Sequence, residues 1–290
     1  MIFSILGYRF RKYVSRNRNS SPFLSSDAFK DICGLSYEGM TNSSEVLSHR
    51  YGNRNIPIIF VKTDGAKEFS RCVIESDIQI DTVVYGDSDL DLNIDYIPFA
   101  HIRGKAYVQN LNIQHPRLEP LPIGIENLSR FYNGRPELFG EKYVRKTKFN
   151  SVLVGPFAPT HPDRVELEKL ENSNYIKVVQ DRLVPDVYAE FSSGFRFIAC
   201  PRGNGFDTHR FWEALYRGSI PIVSESVWAT HFQSLGIPLL TVKTWGQESI
   251  QNALLSSPFN EFDPRDIVSL WMEYWNTKFR YFKESSQNII

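Results

Sequence analysis

Cysteine is scarce in this chain. Cys33, Cys72 and Cys200 are the only three among 290 residues, and they lie far apart. They form no CxxC pair and no Cys/His ligand spacing, which argues against a disulfide framework or a zinc site. Such usage fits a reducing, cytoplasmic setting. Net charge is missing too, since 33 basic side chains balance 33 acidic ones. That balance argues against bulk electrostatic binding of nucleic acid. No apolar run approaches the ~20 residues that span a bilayer. Internal repeats and low-complexity tracts are also absent. What remains is an ordinary globular composition, 42% hydrophobic, with room for one large or two modest domains.

Acids are absent from the N-terminus. "MIFSILGYRFRKYVSRNRN" carries Arg9, Arg11, Lys12, Arg16 and Arg18, and no Asp or Glu precedes Asp27. Its apolar head lies before the basic cluster, the reverse of the secretory order. Two readings stand. One is an interfacial segment on an anionic membrane surface, which would make the protein peripheral to that membrane. The other is a solvated arm.

What is present is strand-like punctuation. "IPIIFVKT" (Ile56–Thr63), "DTVVYGD" (Asp81–Asp87), "KAYVQN" (Lys105–Asn110) and "LEPLPIGI" (Leu118–Ile125) are each bounded by turn residues, as strands are. After a charged, aromatic connection (Arg130–Asn150), strands and helices alternate. "SVLVGPF", "YIKVVQ", "FRFIACP", "SIPIVS" and "IPLLTV" read as strands, and "HPDRVELEKLEN", "VPDVYAEFSSG" and "DTHRFWEALYRG" as helices. This alternation predicts βαβ units and a parallel sheet. The expected architecture is α/β, with two Rossmann-like lobes facing each other across a cleft at the carboxyl ends of their strands. Residues 1–26 read as the basic arm, 27–148 as an N-terminal lobe and 149–290 as a C-terminal lobe. "DPRDIVSLWMEYWNTKFRYF" (Asp263–Phe282) places Ile267, Leu270, Trp271, Tyr274, Trp275 and Phe279 at helical spacing, so a C-terminal helix is expected to pack back on a domain.

Familiar signatures are lacking: there is no GxxxxGK[ST], no GxSxG and no HExxH, and "GNG" has no third glycine. The most specific stretch is "ACPRGNGFDTHRFWEALYRGSIPIV", Ala199–Val223. Asp207 is its N-cap candidate, with Thr208, His209 and Arg210 in the first turn. Phe211, Ala214 and Leu215 supply a buried face, and Gly218 a C′ residue. Gly203, Asn204 and Gly205 precede the helix, where glycines allow close approach of a ligand or φ > 0. A helix N-terminus with Arg202 and Arg210 beside it suits a diphosphate when no metal supplies the positive charge. Glu213, one turn beyond Arg210, suits two ribose hydroxyls, the competing reading being an ion pair with Arg210 or Arg217.

These residues resemble the sugar-nucleotide signature of exostosin-type and related GT-B glycosyltransferases: Pro-Arg-Gly-x-Gly, an Arg, a Glu-Ala-Leu helix, then Gly-x-Ile-Pro. "VLVGPFAPTHPDR", "LPIGIEN" and "VVYGDSD" with "AYVQN" carry the resemblance backwards. It implies Arg202 and Arg210 on the diphosphate, Gly203–Gly205 as backbone cradle, and Glu213 on the ribose. It sets Thr160 and Arg164 on the opposite side of the donor, where the competing reading is a helix cap and a surface charge. His209 either touches the sugar or packs. Gly124, Glu126 and Asn110 fall at the acceptor side of the cleft.

A transfer with inversion needs a base for the acceptor hydroxyl. "GDSDLD" offers Asp87, Asp89 and Asp91 after a strand-like run, where α/β sites lie. Asp89 is the first choice because it matches the resembling pattern, with Asp87 second and Glu126, His101 and His115 in reserve. The competing reading is an acid-rich turn. The expectation is therefore a metal-independent glycosyltransferase without cofactor, moving sugar from a nucleotide sugar to a glycan or lipid-linked saccharide in surface-polysaccharide assembly. The alternatives are a two-lobed sugar-nucleotide epimerase and a non-catalytic glycan- or nucleotide-binding protein.

Overall fold

The computed structural model describes residues 20–38, 55–130, 132–144 and 147–287. The basic stretch before Ser20 lies outside them. The fold is α/β, with two parallel five-stranded sheets.

The first sheet holds β1 (Ser36–Tyr37), β2 (Ile56–Lys62), β3 (Ile80–Gly86), β4 (Ala106–Val108) and β5 (Leu118–Pro120), in that spatial order. The second holds β6 (Phe149–Val154), β7 (Ile176–Val178), β8 (Phe195–Ala199), β9 (Ile220–Ser224) and β10 (Leu240–Val242). Its spatial order is β10-β9-β8-β6-β7. The chain thus leaves β6 in one direction to β7 and returns on the other side to β8. That reversal opens a crevice beyond the carboxyl ends of β6 and β8, where ligands bind in open α/β sheets.

Both sheets are covered on both faces, as parallel sheets require. Ile59, Val61, Val83 and Tyr85 of the first sheet pack on α2 (Ala66–Glu75) through Phe69 and Val73. The alternate residues, Ile58, Phe60 and Val84, turn to the other face and meet α1 (Ser26–Cys33). In the second sheet Val152, Val154, Phe197 and Ile222 face one core, which also holds Leu167 of α3 (Pro162–Glu168). Leu153, Ile198 and Val223 face the opposite way, into the same apolar cluster as Ile58 and Phe60. One continuous core therefore joins the two sheets. Its bulk comes from Trp212, Trp228 and Trp275, each almost wholly buried.

Remaining helices among the described residues are α4 (Pro185–Ser192), α5 (His209–Tyr216), α6 (Val227–Ser234), α7 (Gln247–Leu255) and α8 (Met272–Gln287). Helix α8 lies against α1, β2 and β3, so the end of the chain packs on the first sheet. The aromatic stripe is a core feature, but its helix starts later than its periodicity suggests. Pro264–Asp266 and Val268–Leu270 are 3-10 turns, and only from Met272 is the backbone α-helical. Residues 20–26, the described part of the expected arm, are embedded. Ser20 is buried, Leu24 is wholly so, and Ile125 donates its N–H to the Leu24 carbonyl. Among the described residues no helix is long and apolar enough to cross a membrane.

Candidate functional site

A cavity of about 530 Å³ lies where the carboxyl ends of both sheets converge. Asp89 reaches it from the loop after β3, and Ile123 and Glu126 from the segment after β5. Phe157, Thr160 and Arg164 come from the loop after β6 and the start of α3, and Tyr188 from α4. The loop after β8 adds Gly203, Asn204, Gly205, Asp207 and Thr208, and α5 adds His209, Arg210, Glu213 and Arg217.

Helix α5 is what aims these last groups. Phe211, Trp212 and Leu215 are fully buried, each worth about 1.5–3 kcal/mol on burial, so the opposite stripe of Arg210, Glu213 and Arg217 must face the cavity. Gly218 (φ 67°) ends the helix as its C′ residue. The N-cap is Thr208, one residue later than the sequence suggests, and its side chain makes no capping bond. Thr208 Oγ1 and Arg217 Nε are buried polar atoms without a hydrogen-bond partner.

Two guanidinium groups define one wall. Arg210 donates to the carbonyls of Gly155 (3.0 Å) and Pro156 (2.6 Å), and stacks on Phe157 and Tyr188. Arg164 donates from Nε to the Arg202 carbonyl at 2.9 Å and from Nη1 to that of Ala158 at 3.3 Å. Burial, and then the neighbouring Arg210 cation, hold the Arg164 guanidinium below its ordinary pKa. Both effects favour an anion placed between the two. Arg202 is the exception among the expected phosphate ligands. Its side chain stacks on Phe206 at 4.0 Å, donates to the Asn204 carbonyl, and does not line the cavity. Arg164, which the sequence reading set on the opposite side of the donor from Arg202, lines the cavity with Arg210.

The glycines serve neighbouring side chains rather than unusual φ angles. Neither Gly203 nor Gly205 has positive φ. A Cβ on Gly205 would lie 2.5 Å from Asn110 Oδ1, and one on Gly203 would lie 2.7 Å from Arg164 Nη2. Asn110 itself is left-handed (φ 59°) and does not line the cavity; its Oδ1 accepts the Asp207 N–H at 2.8 Å. Asp207 lines the cavity but is buried, and both its oxygens are committed within the fold. Its two oxygens accept from the Ile123 N–H (2.8 Å) and the Trp212 indole N–H (2.7 Å). Burial pushes its carboxyl up to about 7, against those two bonds and the Thr208 N–H. It is a tie between the two halves rather than a helix cap or a ligand group.

The two aspartates of "GDSD" part company. Asp89 is exposed at the cavity edge and accepts the Asn204 side-chain N–H at 3.1 Å. Asp87 (φ 58°) turns away to Lys30 at 2.8 Å and lines nothing in the cavity. Gln109, buried and unremarked in the sequence, shapes this turn by accepting the Asp87 N–H and donating to the Ser88 carbonyl. Nearby, His209 Nδ1 lies 2.8 Å from the Gly124 carbonyl, and its Nε2 lies 3.6 Å from Glu126 Oε2. Gly124 (φ 70°) touches the Leu24 backbone so closely that any Cβ would collide with it. It positions His209 without lining the cavity.

Glu213 lines the cavity and pairs with Arg217 at 3.6 Å. Thr160 lines it from the loop after β6. His101 lies beside Asp77 and His115 stacks on Phe99, both outside the cavity. Arg182, Tyr188 and Arg217 are lining groups that the motif reading did not assign to the site. Arg217 was legible only as an i+4 partner of Glu213; Tyr188 and Arg182 carry no local signal.

No family model and no curated protein matches this chain. The chemistry of the site therefore rests on its own residues: two half-buried arginines, a helix start, two unpartnered polar atoms, and a carboxylate–imidazole pair around one cavity.

Proposed function

We propose that this chain is a glycosyltransferase of the GT-B kind, using a nucleoside-diphospho-sugar donor and a glycan or lipid-linked saccharide acceptor, with inversion and without a metal. The observation that carries the reading is the convergence of Arg164 and Arg210 on the cavity beside the start of α5, at the reversal of strand order. A diphosphate there meets two guanidinium groups and the free N–H groups of the helix start. In the transfer, negative charge grows on the departing nucleoside diphosphate, and fixed cations in a partly dry site stabilise it. In this reading Glu213, which lines the cavity, meets the ribose, and the Asp89–Glu126 side takes the acceptor.

The test is thermal stabilisation by a panel of nucleoside diphosphates, nucleosides and nucleotide sugars. One diphosphate at ~100 times its dissociation constant stabilises the fold by about 2.7 kcal/mol, and its nucleoside by much less. Slow release of free sugar from the matching nucleotide sugar accompanies binding. A new sugar epimer formed without acceptor would select an epimerase instead, and binding without any turnover a non-catalytic protein. No stabilisation by any diphosphate overturns the reading.

A further inference from the structure

The His209–Glu126 pair has a geometry that the donor reading does not use. His209 opens α5, yet its ring reaches across to the segment after β5. There Nδ1 sits 2.8 Å from the Gly124 carbonyl. A carbonyl only accepts, so Nδ1 carries a proton there, and in the neutral ring Nε2 is the nitrogen with the lone pair. Gly124 cannot drift, because its backbone is wedged against Leu24. The tautomer and the ring plane are thus set by the fold. Glu126 Oε2 lies 3.6 Å from that Nε2, while its Oε1 accepts the Asn127 N–H at 3.1 Å. Both side chains are largely shielded, at 32% and 17% exposure, and both line the cavity.

Other charged groups surround the ring. On its own helix stand Arg210 and Glu213. Arg130 lies 3.9 Å from Glu126. Asp89 is on the loop after β3, Arg164 on α3, and Asp207, though buried, also lines the cavity. Asp89 is exposed and bonded to Asn204. His209 lines the cavity, its Nδ1 is held on the Gly124 carbonyl, and a carboxylate 3.6 Å from its Nε2 stands ready to hold the imidazolium.

We infer that His209 Nε2 is the proton acceptor for the acceptor hydroxyl, with Glu126 as its positioning and charge-balancing partner. The inference rests on the transferase reading above. The acceptor O–H bond breaks as its proton passes to Nε2. The oxygen forms the new bond to the anomeric carbon. The bond from that carbon to the β-phosphate oxygen breaks, and its electron pair leaves with the nucleoside diphosphate, opposite Arg164 and Arg210. The proton passes later from His209 to solvent. Asp89 then serves to hold Asn204 and the donor loop rather than to take the proton.

The experiment compares His209→Asn, Glu126→Gln and Asp89→Asn with the wild type, each in donor binding and in transfer. Asn at 209 can still donate to the Gly124 carbonyl but has no basic nitrogen. His209→Asn is therefore expected to bind nucleoside diphosphate within about 3-fold of wild type while kcat falls about 10²–10⁴-fold. Glu126→Gln lowers kcat about 10-fold with the donor KM unchanged, a split that a merely structural role would not produce. Imidazole added to a His209→Gly variant restores part of the lost rate. Near-normal turnover in His209→Asn, or loss of kcat confined to Asp89→Asn, overturns the inference and leaves the transferase reading standing. A wild type that neither binds diphosphates nor transfers sugar overturns both.

Discussion

The Asp207 carboxylate accepts the backbone N–H of Ile123 at 2.8 Å, across 84 positions of sequence. The bond ties the loop that precedes α5 to the segment that follows β5, and the other oxygen of Asp207 holds the Trp212 indole. The tie sits at the cavity, so the two walls are registered by one buried side chain.

Asp207→Asn is expected to destabilise the fold at pH 5 by about 1–3 kcal/mol, the cost of leaving one buried N–H facing another donor. Urea unfolding followed by tryptophan fluorescence checks this. A loss below a few tenths of a kcal/mol would mean that the segment re-pairs elsewhere.

The same carboxyl sets a pH dependence. Burial raises it from 3.8 to about 7 in the folded chain. The folded state therefore binds the proton that the unfolded state releases. This stabilising contribution is fully present below about pH 4 and disappears as pH rises through about 7. The penalty of Asp207→Asn is accordingly larger at pH 5 than at pH 8, as paired unfolding curves at the two values would reveal.

Arg164→Ala and Arg210→Ala are each expected to weaken nucleoside diphosphate binding by about 1.5–3 kcal/mol, the range for a hydrogen bond to a charged group. Nucleoside binding changes little. Arg202→Ala costs less than either, since that guanidinium rests on Phe206. Calorimetric titration of the three variants ranks them, and an Arg202 loss equal to the others would require its side chain to swing into the cavity.

Gly205→Ala drives a methyl to 2.5 Å from Asn110 Oδ1. A loss of about 1–3 kcal/mol is expected from the overpacking. Asn110→Gly removes the obstructing amide and suits the left-handed backbone at that site. The double variant is then more stable than the sum of the single losses predicts, a coupling that a double-mutant cycle measures.

If the chain is the proposed transferase, chelator is expected to leave transfer largely intact, because Arg164, Arg210 and the start of α5 would meet the diphosphate charge. Loss of activity with chelator that magnesium or manganese restores would assign a metal to the acids of the "GDSD" loop.

The parallel α/β class, the strands around Ile58, Val84, Leu153, Ile198 and Ile222, and the helix from His209 to Gly218 could all be read from the sequence. Each depends on local pattern: an apolar run between turn residues, or an i, i+3, i+4 face with its terminating glycine. The corner Arg202–Glu213 stood out for the same reason, since a strand, a glycine loop and a helix start are contiguous in the chain. What tertiary structure decided was which members of that corner face the cavity. The sequence favours Arg202 over Arg164, yet packing on Phe206 turns the first aside while the Arg202 carbonyl itself holds the second in place. Asp87 and Asp89 are two residues apart, and Lys30, 57 positions earlier, takes the first out of the site. Asp207 reads as a cap, but Ile123 and Trp212 make it a buried tie. Local spacing sets which residues a turn can present; partners tens of residues distant set which of them remain free to meet a ligand.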